Sequence, residues 1–518
     1  MSWKIISKFK NRLGAESGLS CSSRGGALRI CLVYPNRYAI AMSNLGFQAV
    51  YAMLNGYPQI VCERAFLPDK DEMAEYEVSR TPLLSLETQQ PVSGFDIIAY
   101  SISFESDYLN IPVLFRLAGI PPLADERTEK HPLVIAGGAA TFINPEPIAD
   151  FIDAVCIGEA EVILPELLEK LCAASSGRDE LLGTLDSISG VYLPSLLPKK
   201  QVARAYLKDL DLHPVTTVIN APESEFSDMH LVELTRGCPR GCRFCAAGFI
   251  YHPYRQRTFE SVKSDIDKGI ALGRKIGLVA AAVGDFKGVD KLCRYIVDSG
   301  GTFSVSSLRI DGLDETMTSL LVESGHKTAT LAPEGGSQRL RDLVKKGISE
   351  EQILAACERL IEKDILNLKL YFIIGLPTET DDDVLELLQL VEKIRELVLA
   401  KAKLNRRIGE ITLSINPFIP KPFTPFQWCG MMRLKVLEKR LATIQNHFRR
   451  VANVSVQAES LKEAMLQALL SRGDRSLSEF LLMSDELGSW KRGAKAVGID
   501  IEKAVTRQIP LDEELPWG

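Results

Sequence analysis

Residues 233–245 read Glu-Leu-Thr-Arg-Gly-Cys-Pro-Arg-Gly-Cys-Arg-Phe-Cys. Cys238, Cys242 and Cys245 fall within eight residues, spaced C-x3-C-x2-C. That is compact enough to hold one metal centre. Three thiolates are one short of a closed structural zinc site. They are also one short of saturating a four-iron cluster. The pattern therefore predicts an open iron that binds and activates a substrate. The loop reads as a site of chemistry rather than a staple.

Downstream of the loop, strands are predicted near 230–235, 277–283, 303–306, 328–332, 367–374 and 409–415. Helices fill 259–272, 287–299, 314–324, 350–363 and 381–400. Repeated strand–helix units predict a partial or full α/β barrel over 230–428, with catalytic groups at the strand C-termini. The cysteine loop follows the first of these strands, as that rule requires. Upstream, Leu28–Tyr34, Phe95–Ser103, Leu133–Gly138 and Ala154–Gly158 read as strands. Leu45–Leu54, Tyr108–Ala118 and Ala160–Ala173 read as helices between or after them. Short apolar strands separated by helices predict a doubly wound parallel sheet over 27–175. Its ligand edge is the carboxyl end of the strands, in the loops Asn36–Gly46, Ser101–Asp107, Gly137–Pro147 and Gly158–Glu161. Residues 1–26 form a lead, 176–229 a turn-rich connection, and 429–518 a helical region.

With 518 residues and 46% hydrophobic content, several domains with full cores are expected. The net charge of −6 gives no global reason to coat nucleic acid, so a nucleic-acid partner is not indicated. No apolar run approaches the ~18 residues of a membrane span. The first ten residues lack the apolar core of a signal peptide. They read as a surface helix or frayed lead, with a membrane-touching helix as the alternative. The eight cysteines outside the loop are scattered, which points to a reducing cytoplasm rather than a disulfide framework.

The cysteine loop, with Phe244 before its last cysteine, resembles the radical S-adenosylmethionine (SAM) enzymes. The resemblance implies a [4Fe–4S] cluster on Cys238, Cys242 and Cys245, whose open iron binds SAM, and an electron donor such as flavodoxin or ferredoxin. It also implies SAM contacts at successive strand ends. These fall on Asp285 in Val-Gly-Asp, Ser306 and Arg309 in Ser-Ser-Leu-Arg, and Glu334 and Ser337 in Ala-Pro-Glu-Gly-Gly-Ser. Tyr371 and Gly375 in Tyr-Phe-Ile-Ile-Gly-Leu-Pro complete the set. Val-Gly-Asp departs from the family's usual Gly-Gly-Glu. Nearly the whole chain is similar to a largely uncharacterised bacterial and archaeal group with an N-terminal cobalamin-binding-like domain. That likeness rests on Arg-Gly-Cys-Pro-Arg-Gly-Cys-Arg-Phe-Cys-Ala-Ala-Gly, Leu-Arg-Asp-Leu-Val-Lys-Lys-Gly and Phe-Ile-Pro-Lys-Pro-Phe-Thr-Pro-Phe-Gln-Trp, among other segments. It implies cobalamin contacts from Tyr38, Ser43, Asn44, Ser101, Ser103, Gly137, Gly138, Gly158 and Glu159. The loop Tyr38–Gly46 contains no histidine to serve as lower ligand. Cobalamin is therefore expected to bind without one, or the domain is a relic that only packs on the barrel.

Arg236, Arg240, Arg243, Arg255 and Arg257 flank the cluster loop. They either offset the cluster's negative charge and grip an anion, or form a solvated rim. The expected activity is radical SAM chemistry, with cobalamin-dependent methylation of an unactivated carbon as the leading reaction. Methylthio transfer, cyclisation or carbon–carbon coupling without cobalamin is the alternative. Methylthio transfer would need a second cluster, for which Cys31, Cys62 and Cys156 are the candidates. A non-enzymatic cobalamin sensor is a third reading. The substrate is not specified by the sequence.

Overall fold

The computed structural model describes residues 1–19, 28–173, 177–195, 201–305, 308–405 and 407–518. Its first sheet contains β1 (Leu28–Tyr34), β2 (Ile60–Phe66), β3 (Ile97–Ser101), β4 (Leu133–Gly137), β5 (Ala154–Cys156) and β6 (Val191–Tyr192). Their order is β2-β1-β3-β4-β5-β6. The first five are parallel and β6 runs antiparallel at the edge. The order reverses between β1 and β3, so the ligand crevice of this sheet is expected beyond their carboxyl ends.

β2 was not expected, because Glu63 and Arg64 interrupt its apolar run. Its residues are nonetheless all buried. The charges are accommodated by partners: Arg64 bonds Glu16 at 2.7 Å and Glu87 at 2.6 Å, and lies 4.8 Å from the Tyr51 ring centre. Glu63 accepts from the Thr88 hydroxyl at 2.7 Å. A buried charge is tolerated only with such partners. The lead contains a helix over Trp3–Ala15, which buries Ile5 and Phe9 and sets Arg12 against Asp69, Glu72 and Glu223.

The barrel is built from β7 (Met229–Glu233), β8 (Lys275–Val279), β9 (Phe303–Val305), β10 (Thr328–Glu334), β11 (Asn367–Ile374), β12 (Ile411–Pro417) and β13 (Val454–Ala458). All neighbouring pairs are parallel. A bridge between Leu308 and Leu331 joins the three-stranded and four-stranded parts. The region after 428 is mostly helical, as expected, with β13 as the strand within it. Along β11, Leu368, Leu370, Phe372 and Ile374 are buried, while Lys369, Tyr371 and Ile373 are half-buried. This two-residue alternation puts apolar side chains against the surrounding helices and leaves the other face to the barrel interior.

Helices Leu461–Arg472 and Leu477–Glu486 do not form a core of their own. Leu466, Leu469, Leu470, Leu477, Phe480 and Leu481 share one apolar cluster with β1–β6. Gly158, after β5, has φ +149° and lies against the connecting segment, where an added Cβ would sit 2.4 Å from the Ala205 carbonyl oxygen. Gly158→Ala is therefore expected to destabilise the protein by on the order of 1–3 kcal/mol, read as a lower thermal unfolding midpoint with the iron content unchanged.

Candidate cluster and cofactor site

A two-residue antiparallel ladder, Thr235–Arg236 against Arg255–Gln256, closes the neck of the cysteine loop. Gly237 and Gly241 have φ of +83° and +79°, and a Cβ on Gly237 would meet the Tyr251 carbonyl at 2.6 Å. Left-handed backbone at these points favours glycine. The Arg243 amide donates to the Val344 carbonyl at 3.1 Å, and the Phe426 amide donates to the Arg243 carbonyl at 3.3 Å. Phe244 packs against a small apolar cluster of Leu340, Val344, Leu376, Phe418 and Phe426. The backbone and one aromatic side chain thus fix the loop, and the three thiols stay half-buried.

Burial pushes the Cys242 and Cys245 thiols up, and the nearby cysteines push them further. Three soft donors close enough to repel one another as thiolates form a set that a cationic metal centre relieves. This donor chemistry fits an iron–sulfur cluster with Cys238, Cys242 and Cys245 as ligands.

Several expected SAM-side residues gather around the same loop. Asp285 receives the Arg240 guanidinium through both oxygens, with Nε 3.1 Å from each, and the Tyr254 hydroxyl donates to the Asp285 carbonyl at 3.0 Å. Arg309 bonds Asp311 at 2.8–2.9 Å and acts electrostatically on Cys242. Glu334, at φ +66°, pairs with Lys346 at 3.1 Å and acts on Cys242 and Cys245. Burial raises the Glu334 carboxyl, and Lys346 opposes that shift. Tyr371 lies on the interior face of β11, with the Lys369 ammonium 5.3 Å from its ring centre. Two others are engaged elsewhere. The Ser337 hydroxyl donates to Asp383 at 2.6 Å and caps the helix Gln338–Leu343. The Gly375 amide donates to Glu379 at 2.6 Å. Ser306 lies outside the described residues.

The flanking arginines divide by partner. Arg236 bonds Glu233, Glu159 and Glu161. Arg255 bonds Glu159 at 2.8 Å, and Arg204 reaches it at 3.4 Å. Arg257 is fully buried on Asp265 at 2.6 Å. Glu159 is thus a hub at which the end of β5, the connecting segment and the neck of the cysteine loop meet. Arg240 is bound as described, whereas the Arg243 side chain donates to a carbonyl, that of Leu343 at 2.9 Å, and has no carboxylate partner among the described residues.

The sequence profile described as "Radical SAM superfamily" matches residues 232–391, and "Radical SAM proteins, N-terminal" matches residues 46–194. The uncharacterised protein MJ0966 of Methanocaldococcus jannaschii is 30% identical over 465 residues, covering 87% of this chain and 90% of that protein. The chain belongs to the radical SAM superfamily. Its cofactors are accordingly a [4Fe–4S] cluster and SAM. A ribosomal protein uS12 methylthiotransferase, RimO, from Thermotoga sp. (strain RQ2) is 26% identical over 257 residues, covering 44% of this chain and 57% of that one. A solved structure of the cobalamin-dependent SAM radical enzyme OxsB, with aqua-cobalamin and SAM bound, superposes with TM-score 0.52 and 13% identity. It covers 91% of this chain and 70% of that one and shows a shared fold.

In this radical SAM protein the N-terminal sheet places its carboxyl end against the cluster loop. Phe142 and Ile143 pack on Ile250 with Ala246 and Tyr251, and the Phe142 and Tyr251 rings are 5.9 Å apart. At the crevice between β1 and β3, Asn44 caps the helix Leu45–Gly56 through the Phe47 amide at 2.9 Å and donates to Ser103 at 2.9 Å. Ser43 donates to Ala39 and accepts from the Glu225 amide at 2.8 Å. Tyr38 is buried, donates to Glu16 at 2.7 Å and stacks under Arg12. Ser101 and Gly137 face each other across β3 and β4. Gly138 adopts φ +113°, where an added Cβ would meet the Ile102 carbonyl at 2.4 Å. The glycines at 138 and 158 thus admit the chain's own backbone.

Sequence reasoning missed the contacts that bind this edge to the rest of the molecule. Lys421 reaches in from the barrel to the buried Glu105 at 2.6 Å, and Ser471 donates to Glu105 at 2.8 Å. Asn144 donates to the Gly473 carbonyl at 2.7 Å. The stiff Pro420-Lys421-Pro422 segment was the available signal, since a lysine fixed between prolines is presented at little entropic cost.

Asp107 is buried beside this group. One oxygen accepts from Asn36 at 2.8 Å and the other has no hydrogen-bond partner among the described residues. Burial pushes its carboxyl up to about 7, against the Asn36 bond and helped by Glu105. An unfolded aspartate titrates near about 3.9. The stability this shift provides is therefore complete below about pH 4 and lost as pH rises through about 7. The unfolding midpoint of Asp107→Asn relative to wild type is expected to rise between about pH 4 and 7, measured by thermal denaturation across that range.

Cys31, Cys62 and Cys156 do not converge. Cys62 pairs with Ile30 and Cys31 with Glu63, so the two cysteines point to opposite faces of the sheet. Cys156 lies on β5, with β3 and β4 between it and β1. These three residues do not form a second cluster site. Among the described residues, no helix is long and apolar enough to cross a membrane.

Proposed function

We propose that this chain is a cobalamin-dependent radical SAM methyltransferase acting on an unactivated carbon. The observation that carries the proposal is the abutment of the carboxyl edge of the N-terminal sheet on the cysteine loop, through Phe142, Ile143 and Ile250 and through the Glu159 hub. A cofactor seated at the crevice lies beside the mouth of the barrel. When bound, the cluster and SAM supply a 5′-deoxyadenosyl radical that abstracts hydrogen, and cobalamin supplies the methyl group. In this reading Cys238, Cys242 and Cys245 hold the cluster, and Asp285, Arg309, Glu334 and Tyr371 orient SAM at the strand ends. Phe244 and its apolar cluster keep water from the loop's inner side. The crevice residues Asn44, Ser101 and Ser103 would face cobalamin, and the loop Tyr38–Gly46 would offer it no histidine. The likeness in fold to a cobalamin-dependent radical SAM structure supports this choice. The scattering of Cys31, Cys62 and Cys156 weighs against methylthio transfer through a second cluster at those residues.

Anaerobic reconstitution tests the reading. We expect about four irons per chain, against about eight for two clusters. Dithionite is expected to drive 5′-deoxyadenosine formation from SAM, and hydroxocobalamin should remain with the protein through gel filtration. Absence of deoxyadenosine would sink the enzymatic reading. Loss of the corrinoid on the column would sink the methyl-transfer reading alone.

A further inference from the structure

We propose that the corner where the helix Trp3–Ala15 meets the end of the helix Lys70–Ser79 docks on an anionic membrane surface. The inference is independent of the reaction proposed above. Met1, Trp3 and Val78 are 74%, 70% and 85% exposed, which places them among the most exposed large apolar side chains of the described residues. Hydrogen bonds between the two helix ends bring them together. The Ser2 amide donates to the Thr81 hydroxyl at 2.7 Å, and the Ser2 hydroxyl donates to Glu75 at 2.6 Å. Lys4 bonds the same carboxylate at 3.1 Å. The start of the first helix is thereby fixed on the end of the second, so Met1 and Trp3 stand at the same corner as Val78 and Arg80.

The first helix turns Ile5, Phe9 and Arg12 inward. These share one face at helical spacing, which leaves Trp3 and Lys10, about two turns apart, on the outer side. There the Lys10 ammonium stands 5.5 Å from the Trp3 ring centre. An indole contributes its large apolar surface only where it is buried, and the chain's own core does not bury this one. An aromatic ring with an ammonium over it and apolar side chains beside it has the composition that seats at lipid headgroup level. At 13 residues the helix is too short to span a bilayer and would lie along its surface.

Charge selects the kind of surface. Lys8 and Arg12 are taken up by Asp69, Asp71, Glu72 and Glu223. Lys10 and Arg80 are exposed and have no carboxylate partner among the described residues. Glu77, the exposed acid of this corner, acts electrostatically on Arg116. The corner is thus a cationic exception in a chain of net −6, and such an exception attracts and orients an anionic surface. Shape selects lipid over protein. A specific protein partner covers roughly 800 Å² on each side with interior-like packing. Three side chains that project singly from two helix ends do not make such a face, whereas fluid lipid closes around each of them.

The test uses full-length protein carrying its cluster, mixed anaerobically with sucrose-loaded vesicles and sedimented. The vesicles are phosphatidylcholine alone or phosphatidylcholine with phosphatidylglycerol. Wild type is expected to sediment with the phosphatidylglycerol vesicles and to stay in solution with phosphatidylcholine alone. Trp3→Ser/Val78→Ser and Lys10→Glu/Arg80→Glu are each expected to weaken binding about tenfold, and about 0.5 M salt should weaken the wild type similarly. All four side chains are exposed, so iron content and unfolding midpoints should match wild type. Brominated acyl chains should quench part of the wild-type tryptophan fluorescence and none of that of Trp3→Ser. The proposal is overturned if wild type sediments with neither vesicle, if it binds both equally, or if either double variant binds as wild type does. A concentration-dependent dimer that Trp3→Ser/Val78→Ser abolishes also overturns it, since a second copy of the chain would then be the occupant.

Discussion

Cys242→Ala is expected to reduce 5′-deoxyadenosine formation to background while leaving the protein folded. Cys242 is the central residue of the triad, and its carbonyl accepts the Cys245 amide at 3.2 Å, so alanine preserves the loop backbone. Its side chain is half-buried. Removing a sulfur from such a position costs on the order of 1 kcal/mol or less in stability. The remaining two thiols cannot by themselves replace the lost ligand: Cys31, Cys62, Cys293 and Cys357 are buried in apolar cores, and Cys429 packs on the small apolar cluster that also holds Phe244. Iron per chain, the visible absorption of the cluster and deoxyadenosine yield should fall together, with the unfolding midpoint of apo-protein nearly unchanged. Retained SAM cleavage in this variant would refute the ligand assignment.

The second large effect is expected at Glu159. Burial alone would raise its pKa, but Arg255 and Arg236 outweigh burial and hold the carboxyl below its usual range. It is 5% exposed. Glu159→Leu leaves Arg204, Arg236 and Arg255 short of a counter-charge in a place with little water. Breaking a buried pair by removing one partner costs about 3–5 kcal/mol. The depressed pKa means that this stability is present above about pH 4.5 and lost as pH falls through the folded value. The midpoint difference between wild type and Glu159→Leu should therefore be large at pH 7 and shrink in acid. Glu159→Gln keeps an acceptor for the Leu207 amide, which Glu159 binds at 2.9 Å, and should fall between the two. Equal midpoints for wild type and Glu159→Leu at pH 7 would show that the hub contributes no stability. The same substitution loosens the neck of the cysteine loop through Arg236, so slower iron uptake during reconstitution is also expected.

The two parallel α/β layers were legible because their strands are short apolar runs bounded by turns, as at Leu28–Tyr34 and Leu133–Gly137. The cysteine loop was legible because its spacing is local. What the sequence hid is non-local. β2 carries Glu63 and Arg64, whose partners Glu16, Glu87 and Thr88 are remote or across a turn. β13 has exposed Ser455 and Gln457, so its amphipathic signal is weak. The role of Glu159 was equally hidden. A Gly-Glu pair after a strand reads as a cofactor rim, and only the fold shows three arginines from two other segments converging on it. Likewise Gly138 and Gly158 read as points of close approach, which they are, but to Ile102 and Ala205.

Helices Leu461–Arg472 and Leu477–Glu486 complete the apolar core that β1–β6 begin, with the whole barrel between them in the chain. Loop closure of that span precedes the contacts that reward it. As the chain emerges from the ribosome, the first sheet must wait for more than half of the sequence before its core can close. During that interval its apolar surface is open to aggregation and to chaperones. The N-terminal sheet is thus made before the barrel and finished after it, and it matures as one unit with the helices Leu461–Arg472 and Leu477–Glu486.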